Sequence, residues 1–158
     1  MTSERIRRHI AGLFGVAVLG LIATVTPSLA GVATDVRAGV TDADQVAVGA
    51  GVLAQVGSGS RWFFNPNVEV AVGDHRDAVS MNGDFHYDLA KGPGPAFWVG
   101  GGPALMVIDR EVGGNETDVG LNVLTGVGKK SGQVRPFAQL RGTVADENQV
   151  TIAGGVRF

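Results

Sequence analysis

The chain has 158 residues, no cysteine, 13 basic and 15 acidic side chains, and 25 glycines. The absence of thiols excludes a disulfide scaffold, and a near-balanced charge lacks the clustered Lys and Arg that drive nucleic-acid binding. The glycines lie among regularly alternating Val, Ile and Leu, which excludes a flexible Gly-rich chain.

Residues 1–30 read as a signal peptide: basic Arg5, Arg7 and Arg8, an apolar run from Ile10 to Val25, then Ser28-Leu29-Ala30. The run is shorter than the roughly 20 residues that span a bilayer. Small residues at the two positions a signal peptidase inspects favour cleavage after Ala30 over a retained anchor. Arg7-Arg8 raises the twin-arginine route, but the flanking residues match it poorly and the general secretory route fits better. Removing Arg5, Arg7, Arg8 and Glu4 leaves 10 basic and 14 acidic side chains, a mature net charge of −4. Residues 31–158 are then one domain.

Eight runs with a two-residue period follow. Val32–Thr41 sets Val32, Val36 and Val40 against Asp35 and Arg37. Gln45–Val56 sets Val46, Val48 and Val52 against Gln45 and Gln55. Trp62–Val72 opposes Val68 and Val70 to Asn65, Asn67 and Glu69. Val79–Leu89 opposes Met81, Phe85 and Tyr87 to Asn82, Asp84, His86 and Asp88. The fifth run, Ala96–Ile108, is ambiguous, because Phe97, Val99, Leu105 and Val107 compete with Trp98, Met106 and Ile108. Thr117–Val127 sets Val119, Leu121 and Val123 against Asp118 and Asn122, and Val134–Val144 sets Leu140 against Arg135, Gln139 and Arg141. The last run closes on Val150-Thr-Ile152-Ala-Gly-Gly-Val156-Arg-Phe158. Each run is about the 9–11 residues a tilted transmembrane strand needs.

Short patches of Gly, Asp, Asn, Pro and Ser separate the runs and can join only antiparallel neighbours. The expected fold is all-β: a closed, eight-stranded, antiparallel up-and-down barrel. Pro66 and Pro103 fall inside runs, which predicts bulges or shorter third and fifth strands. Trp62, Phe64, Phe85, Tyr87, Phe97, Trp98, Phe137 and Phe158 all fall at one end of the barrel, as a periplasmic aromatic girdle would. The opposite rim has no matching girdle.

The polar faces carry Asp35, Glu69, Asp84, His86, Asp88 and Asp118 with Arg37, Arg135, Arg141 and Arg157. Facing lipid, each basic residue near the midplane would cost about 2–4 kcal/mol. Facing inward they form a polar network in a lumen that eight strands leave just wide enough for side chains to fill. The expectation is a plugged interior and no diffusion channel.

The stretch Val134-Arg-Pro-Phe-Ala-Gln-Leu-Arg-Gly-Thr143 and the closing Gly-Val-Arg-Phe158 resemble the last hairpin of small bacterial outer-membrane β-barrels of the OmpA/OmpX-like kind. Ala96-Phe-Trp-Val-Gly-Gly-Gly-Pro-Ala-Leu105 is similar to their Gly-rich middle strand. The resemblance covers residues 31–158 in pattern and is specific only in these stretches. It implies residence in the outer membrane of a Gram-negative bacterium and contact with outer-membrane lipid. It further implies recognition by the outer-membrane insertion machinery through Val150, Ile152, Val156 and Phe158. The outer loops are short for an adhesin or phage receptor.

Chemistry is sparse. Asp84, His86 and Asp88 share one face at about 6.5–7 Å spacing, loose for a metal site. Some members of this barrel class modify lipid A, but Ser80 and His86 lie about 20 Å apart along a strand and form no visible triad. Gly126-Val-Gly-Lys-Lys-Ser131 lacks the spacing of a phosphate loop. The sequence therefore predicts a monomeric, non-enzymatic outer-membrane barrel without a cofactor and with a structural or envelope role. The alternatives are a soluble exported lipocalin-like barrel that binds a small apolar ligand and, more weakly, a lipid A-modifying enzyme.

Overall fold

The computed structural model describes residues 31–158 except 75 and 111–113; the expected signal peptide lies outside the described residues. Eight strands form: β1 Val32–Thr41, β2 Gln45–Gln55, β3 Trp62–Gly73, β4 Arg76–Asp88, β5 Ala96–Arg110, β6 Gly114–Gly128, β7 Arg135–Val144 and β8 Gln149–Arg157. Each pairs antiparallel with its chain neighbours, and β1 pairs with β8, so the sheet closes in sequence order. Closure gives every strand a partner on both sides, although the far end of β6, residues 114–120, runs past its β7 partner. The near rim is the end where β1 begins and β8 finishes; the far rim carries the β1–β2, β3–β4, β5–β6 and β7–β8 connections.

Several strands are longer than the alternation indicated. β4 starts at Arg76, and the β5–β6 ladder runs out to Arg110 opposite Gly114. The polar residues there read as turn chemistry, yet in a hairpin beyond the barrel wall both faces meet water and the apolar alternation is not needed.

The prolines neither make bulges nor shorten their strands. Bridging is interrupted between Gly51↔Asn67 and Ala54↔Phe64, but the register is the same on both sides of the gap. Val56 donates its N–H to Trp62 at 2.9 Å, and that parity places Val52 and Pro66 as a hydrogen-bonding pair. Pro66 has no N–H to give, and the Asn65 side-chain amide donates to the Val52 carbonyl instead, at 2.9 Å. On β5, Pro103 faces Gly83 in a similar gap. There the Gly83 carbonyl leans over Gly102, into space a Cβ would occupy. Glycine at 102 is required by that close approach.

At the far rim the β1–β2 turn is tight, with Asp42 and Ala43 both in the left-handed region at φ 52° and 64°, a pair that suits the twist of a hairpin. Asp42 also binds across the barrel seam. Its carboxylate accepts the Val150 N–H at 2.8 Å and the Arg76 guanidinium at 2.5 Å, and Arg76 reaches Glu147 at 3.1 Å. Three connections are thus tied together by one arginine.

Burial resolves the two faces of every strand. Val46, Val72, Val119, Leu121, Val144 and Ile152 point outward and are exposed, whereas Asp35, Arg37, Glu69, Asp84 and Arg141 point inward and are buried. The ambiguous fifth strand follows the same rule: Trp98, Met106 and Ile108 are inside, Phe97, Val99 and Val107 outside. Both faces of β5 are apolar because the far end of the lumen is itself an apolar layer of Ala47, Ala71, Ala78, Met106 and Ile108.

The aromatic rim is only partly a girdle. Trp62, Phe85, Phe97 and Phe158 are exposed on the outer face. Trp62 packs on Tyr87 at 4.9 Å between ring centroids and Phe64 on Phe85 at 4.8 Å, each pair directly opposed across β3–β4. Trp98 and Phe137, expected in the girdle, are instead buried inside the lumen, where they form a cluster with Leu124.

Candidate functional site

Between the apolar far layer and the aromatic near layer, the lumen holds a continuous polar network. It starts on β1, where Asp35 and Arg37 point inward two residues apart. Arg37 donates to Asp35 Oδ1 through Nε at 2.9 Å and through Nη2 at 2.5 Å, to Asn65 Oδ1 at 2.8 Å and to Glu69 Oε1 at 3.4 Å. Long side chains can cross the lumen here because the cross-strand neighbours of Arg37 are Gly49 and Gly155. Glu69 on β3 then receives both guanidinium nitrogens of Arg141 from β7, with Nη1 at 2.9 Å from Oε1 and Nη2 bonded to Oε2. This is a bidentate fork, the strongest arrangement available to an arginine–carboxylate pair.

A second branch runs through amides. Asp84 accepts Asn67 Nδ2 at 3.0 Å on one oxygen and Asn122 Nδ2 at 2.8 Å on the other. Asn82 donates to Asn67 Oδ1 at 3.0 Å, and Thr143 donates to Asn122 Oδ1 at 2.7 Å. Arg141 Nη1 lies 4.0 Å from Asp84 Oδ2 and joins the two branches. Five strands (β1, β3, β4, β6 and β7) are therefore linked through one interior lattice. Partner satisfaction is what makes burial of three carboxylates and two guanidinium groups tolerable.

Of the residues the sequence singled out for the lumen, Asp35, Arg37, Glu69, Asp84 and Arg141 form this lattice. Asp118 is buried but stands apart at the far end, opposite Met106. Asp88 is half-buried near the near rim and pairs with Lys130 at 2.8 Å. Arg135 is half-buried at the same rim and donates to the Phe158 carbonyl at 3.3 Å. His86 and Arg157 belong to the aromatic layer. His86 stacks on Trp98 with centroids 5.8 Å apart and planes 7° from parallel. The Arg157 guanidinium carbon lies 4.6 Å from the Trp98 ring centre and 4.3 Å from that of Phe137, within cation–π range of both. The Trp98 ring lies over Gly126, and a Cβ there would collide with it.

Asn65, Asn67, Asn82, Asn122 and Thr143 were missed as site residues. All sit on polar faces of the alternation, so the signal was present; their neutral side chains gave no reason to rank them beside the charges. On β4, Asp84 is bound to Asn67 and Asn122, His86 is stacked and Asp88 is paired with Lys130. No cluster of three or more His, Cys, Asp or Glu side chains suited to a metal ion occurs among the described residues. The outward residues of β8 lie as expected, with Val150, Ile152 and Phe158 exposed and Val156 half-buried.

No family model matches the sequence, and no curated protein does. Solved structures do match. The N-terminal β-barrel domain of Pseudomonas aeruginosa OprF is similar over 80% of this chain and 95% of its own, with a TM-score of 0.69 and 15% identity. Neisserial surface protein A (NspA) is similar over 80% of this chain and 94% of its own, with a TM-score of 0.63 and 16% identity. The outer membrane enzyme PagL gives a TM-score of 0.53 at 10% identity, over 80% of this chain and 98% of its own. These structural neighbours are outer-membrane barrels, and at such identities the likeness is one of fold.

Proposed function

We propose that the chain is an integral outer-membrane barrel with a structural, envelope-stabilising role, non-enzymatic, and with a lumen closed to diffusion. One observation carries this: the barrel is inside-out relative to a water-soluble one. Val119, Leu121 and Val123 are 75%, 64% and 66% exposed, while Asp84 and His86 are 0% and 2% exposed. An apolar belt of this extent invites aggregation in water but is the expected surface of a barrel in hydrocarbon. The fold shared with outer-membrane barrels supports the same reading. A lipocalin-like carrier needs the opposite polarity, an apolar cavity under a polar skin.

The near rim then lies on the periplasmic side, with Trp62, Phe85, Phe97 and Phe158 at the lipid–water boundary. Val150, Ile152, Val156 and Phe158 form the outward ridge of β8 through which insertion machinery recognises the strand. A sheet closed on itself suits a monomer. The closed lumen is supported by the lattice from Asp35 to Thr143, capped by Met106 and Ile108 at one end and by Trp98 and Phe137 at the other. The non-enzymatic role is supported by the separation of Ser80, which accepts from Asn82 at 3.3 Å, from His86, which stacks on Trp98.

Fractionation tests the membrane assignment: the protein is expected in detergent-extracted outer membrane with heat-modifiable migration, and recovery in the soluble periplasm would sink it. Planar-bilayer recordings test the lumen, and large steady single-channel currents would contradict closure. Lipid A mass shifts that vanish in His86→Ala would overturn the non-enzymatic role.

A further inference from the structure

On the near-rim side of the Trp98–Phe137 layer lies a cavity of about 230 Å³. Its wall includes His86, Trp98, Lys129, Lys130, Arg135 and Arg157. Asp88 is the one acidic side chain on that wall, and Lys130 holds it at 2.8 Å while also donating to the Ala90 carbonyl at 2.8 Å. Lys129 and Arg157 are left as surplus positive charge, and Arg135 adds to it with one of its donors on the Phe158 carbonyl at 3.3 Å. Arg157 is 5% exposed, and its Nε and Nη2 have no hydrogen-bond partner among the described residues; nor do His86 Nε2, Trp98 Nε1 or Arg135 Nε.

Asp35 attracts Arg157 electrostatically, but no hydrogen bond joins the two. Asp35 is the cross-strand neighbour of Arg157, but Asp35 Oδ1 accepts two bonds from Arg37 and Oδ2 accepts Asn65 at 2.9 Å. A buried guanidinium normally finds an acceptor, because leaving its donors unmade is costly. The side chains of Arg157, Arg135 and Trp98, each with an unmade donor, all line one space.

We propose that this cavity is a binding site for a small organic anion, a carboxylate on a compact apolar body. The carboxylate meets the Arg157 and Arg135 forks, which match its planar geometry. The body rests against Leu53, Phe63 and Ala96, the apolar part of the wall. At about 30 Å³ for one water's share of liquid, the cavity of about 230 Å³ has room for a ligand of benzoate size. The site lies on the near side of the aromatic layer, so occupancy is compatible with a closed lumen.

The test is titration of benzoate into the purified full barrel in nonionic detergent, read by calorimetry and by Trp98 fluorescence in a Trp62→Phe background. Saturable binding is expected, weakened about tenfold or more by Arg157→Gln, weakened by Arg135→Gln, and unchanged by Arg76→Gln at the far rim. Benzamide, which keeps the shape and loses the charge, is expected not to bind. Inorganic phosphate serves as a second arm: competition with benzoate places both at the same forks. Absence of saturable binding in the parent barrel, equal affinity in both the Arg157 and Arg135 variants, or equal binding of benzamide would overturn the proposal. Because Arg135 is half-buried at the rim, its variant keeps the test decisive if Arg157→Gln fails to fold.

Discussion

The Asn65 side-chain amide donates to the Val52 carbonyl at 2.9 Å, at the one point in the β2–β3 ladder where Pro66 has no N–H to give. The same amide nitrogen also donates to Asp35 Oδ2, and the Asn65 carbonyl oxygen accepts from Arg37. One asparagine thus repairs the wall and anchors the interior lattice.

Replacing Asn65 by Ala is expected to destabilise the barrel by about 2–4 kcal/mol, since a wall carbonyl and two lattice partners lose bonds. Pro66→Ala in that background restores a wall N–H and recovers about 1 kcal/mol, whereas Pro66→Ala alone gains less. Urea unfolding midpoints of the four proteins in one lipid system close the cycle; strict additivity would refute the backbone role of Asn65.

Glu69 receives Arg141 in a fork and Arg37 at 3.4 Å. Glu69→Gln leaves two buried guanidinium groups short of charge, a loss on the order of 3–5 kcal/mol. Removing both partners of the fork, in Glu69→Leu with Arg141→Met, is expected to cost less than Glu69→Gln. Equilibrium unfolding ranks the two; the reverse order would show that the fork does not dominate.

Gly126→Ala places a Cβ against the Trp98 ring and 2.8 Å from the Ala138 carbonyl. Displacement of the ring is expected to shift Trp98 emission, measured with Trp62→Phe, and to cost about 1–3 kcal/mol. An unchanged spectrum would mean that the ring does not rest on this glycine.

Ala43 holds φ at 64° in the far turn. Ala43→Gly removes a left-handed penalty of about 1 kcal/mol and is expected to raise the unfolding midpoint. A lowered midpoint would show that the entropy of a more flexible unfolded chain outweighs the relieved strain.

The sequence displayed the eight strands and the sidedness of seven of them because lipid-side and lumen-side positions differ in polarity residue by residue. It failed at β5, where Met106 and Ile108 plug an apolar end of the lumen and both faces look alike. It misplaced Trp98 and Phe137, since a rim position does not say whether a ring turns in or out. Pro66 and Pro103 were legible as faults but not as repaired ones. The Asn65 repair and the Gly102 approach depend on cross-strand register, which alternation along a single strand does not carry. The charges of the lattice were readable, whereas the asparagines that join them became evident only once β3, β4 and β6 stood side by side.

In the proposed membrane barrel the valine-rich face meets lipid and the charged face does not. The most direct test of that orientation places a single tryptophan at Ile152, with Trp62→Phe and Trp98→Phe, in vesicles whose acyl chains carry bromine. Strong quenching of the tryptophan placed at 152, absent when the label is in headgroups only, is the predicted result. An emission unaffected by brominated chains would contradict the account.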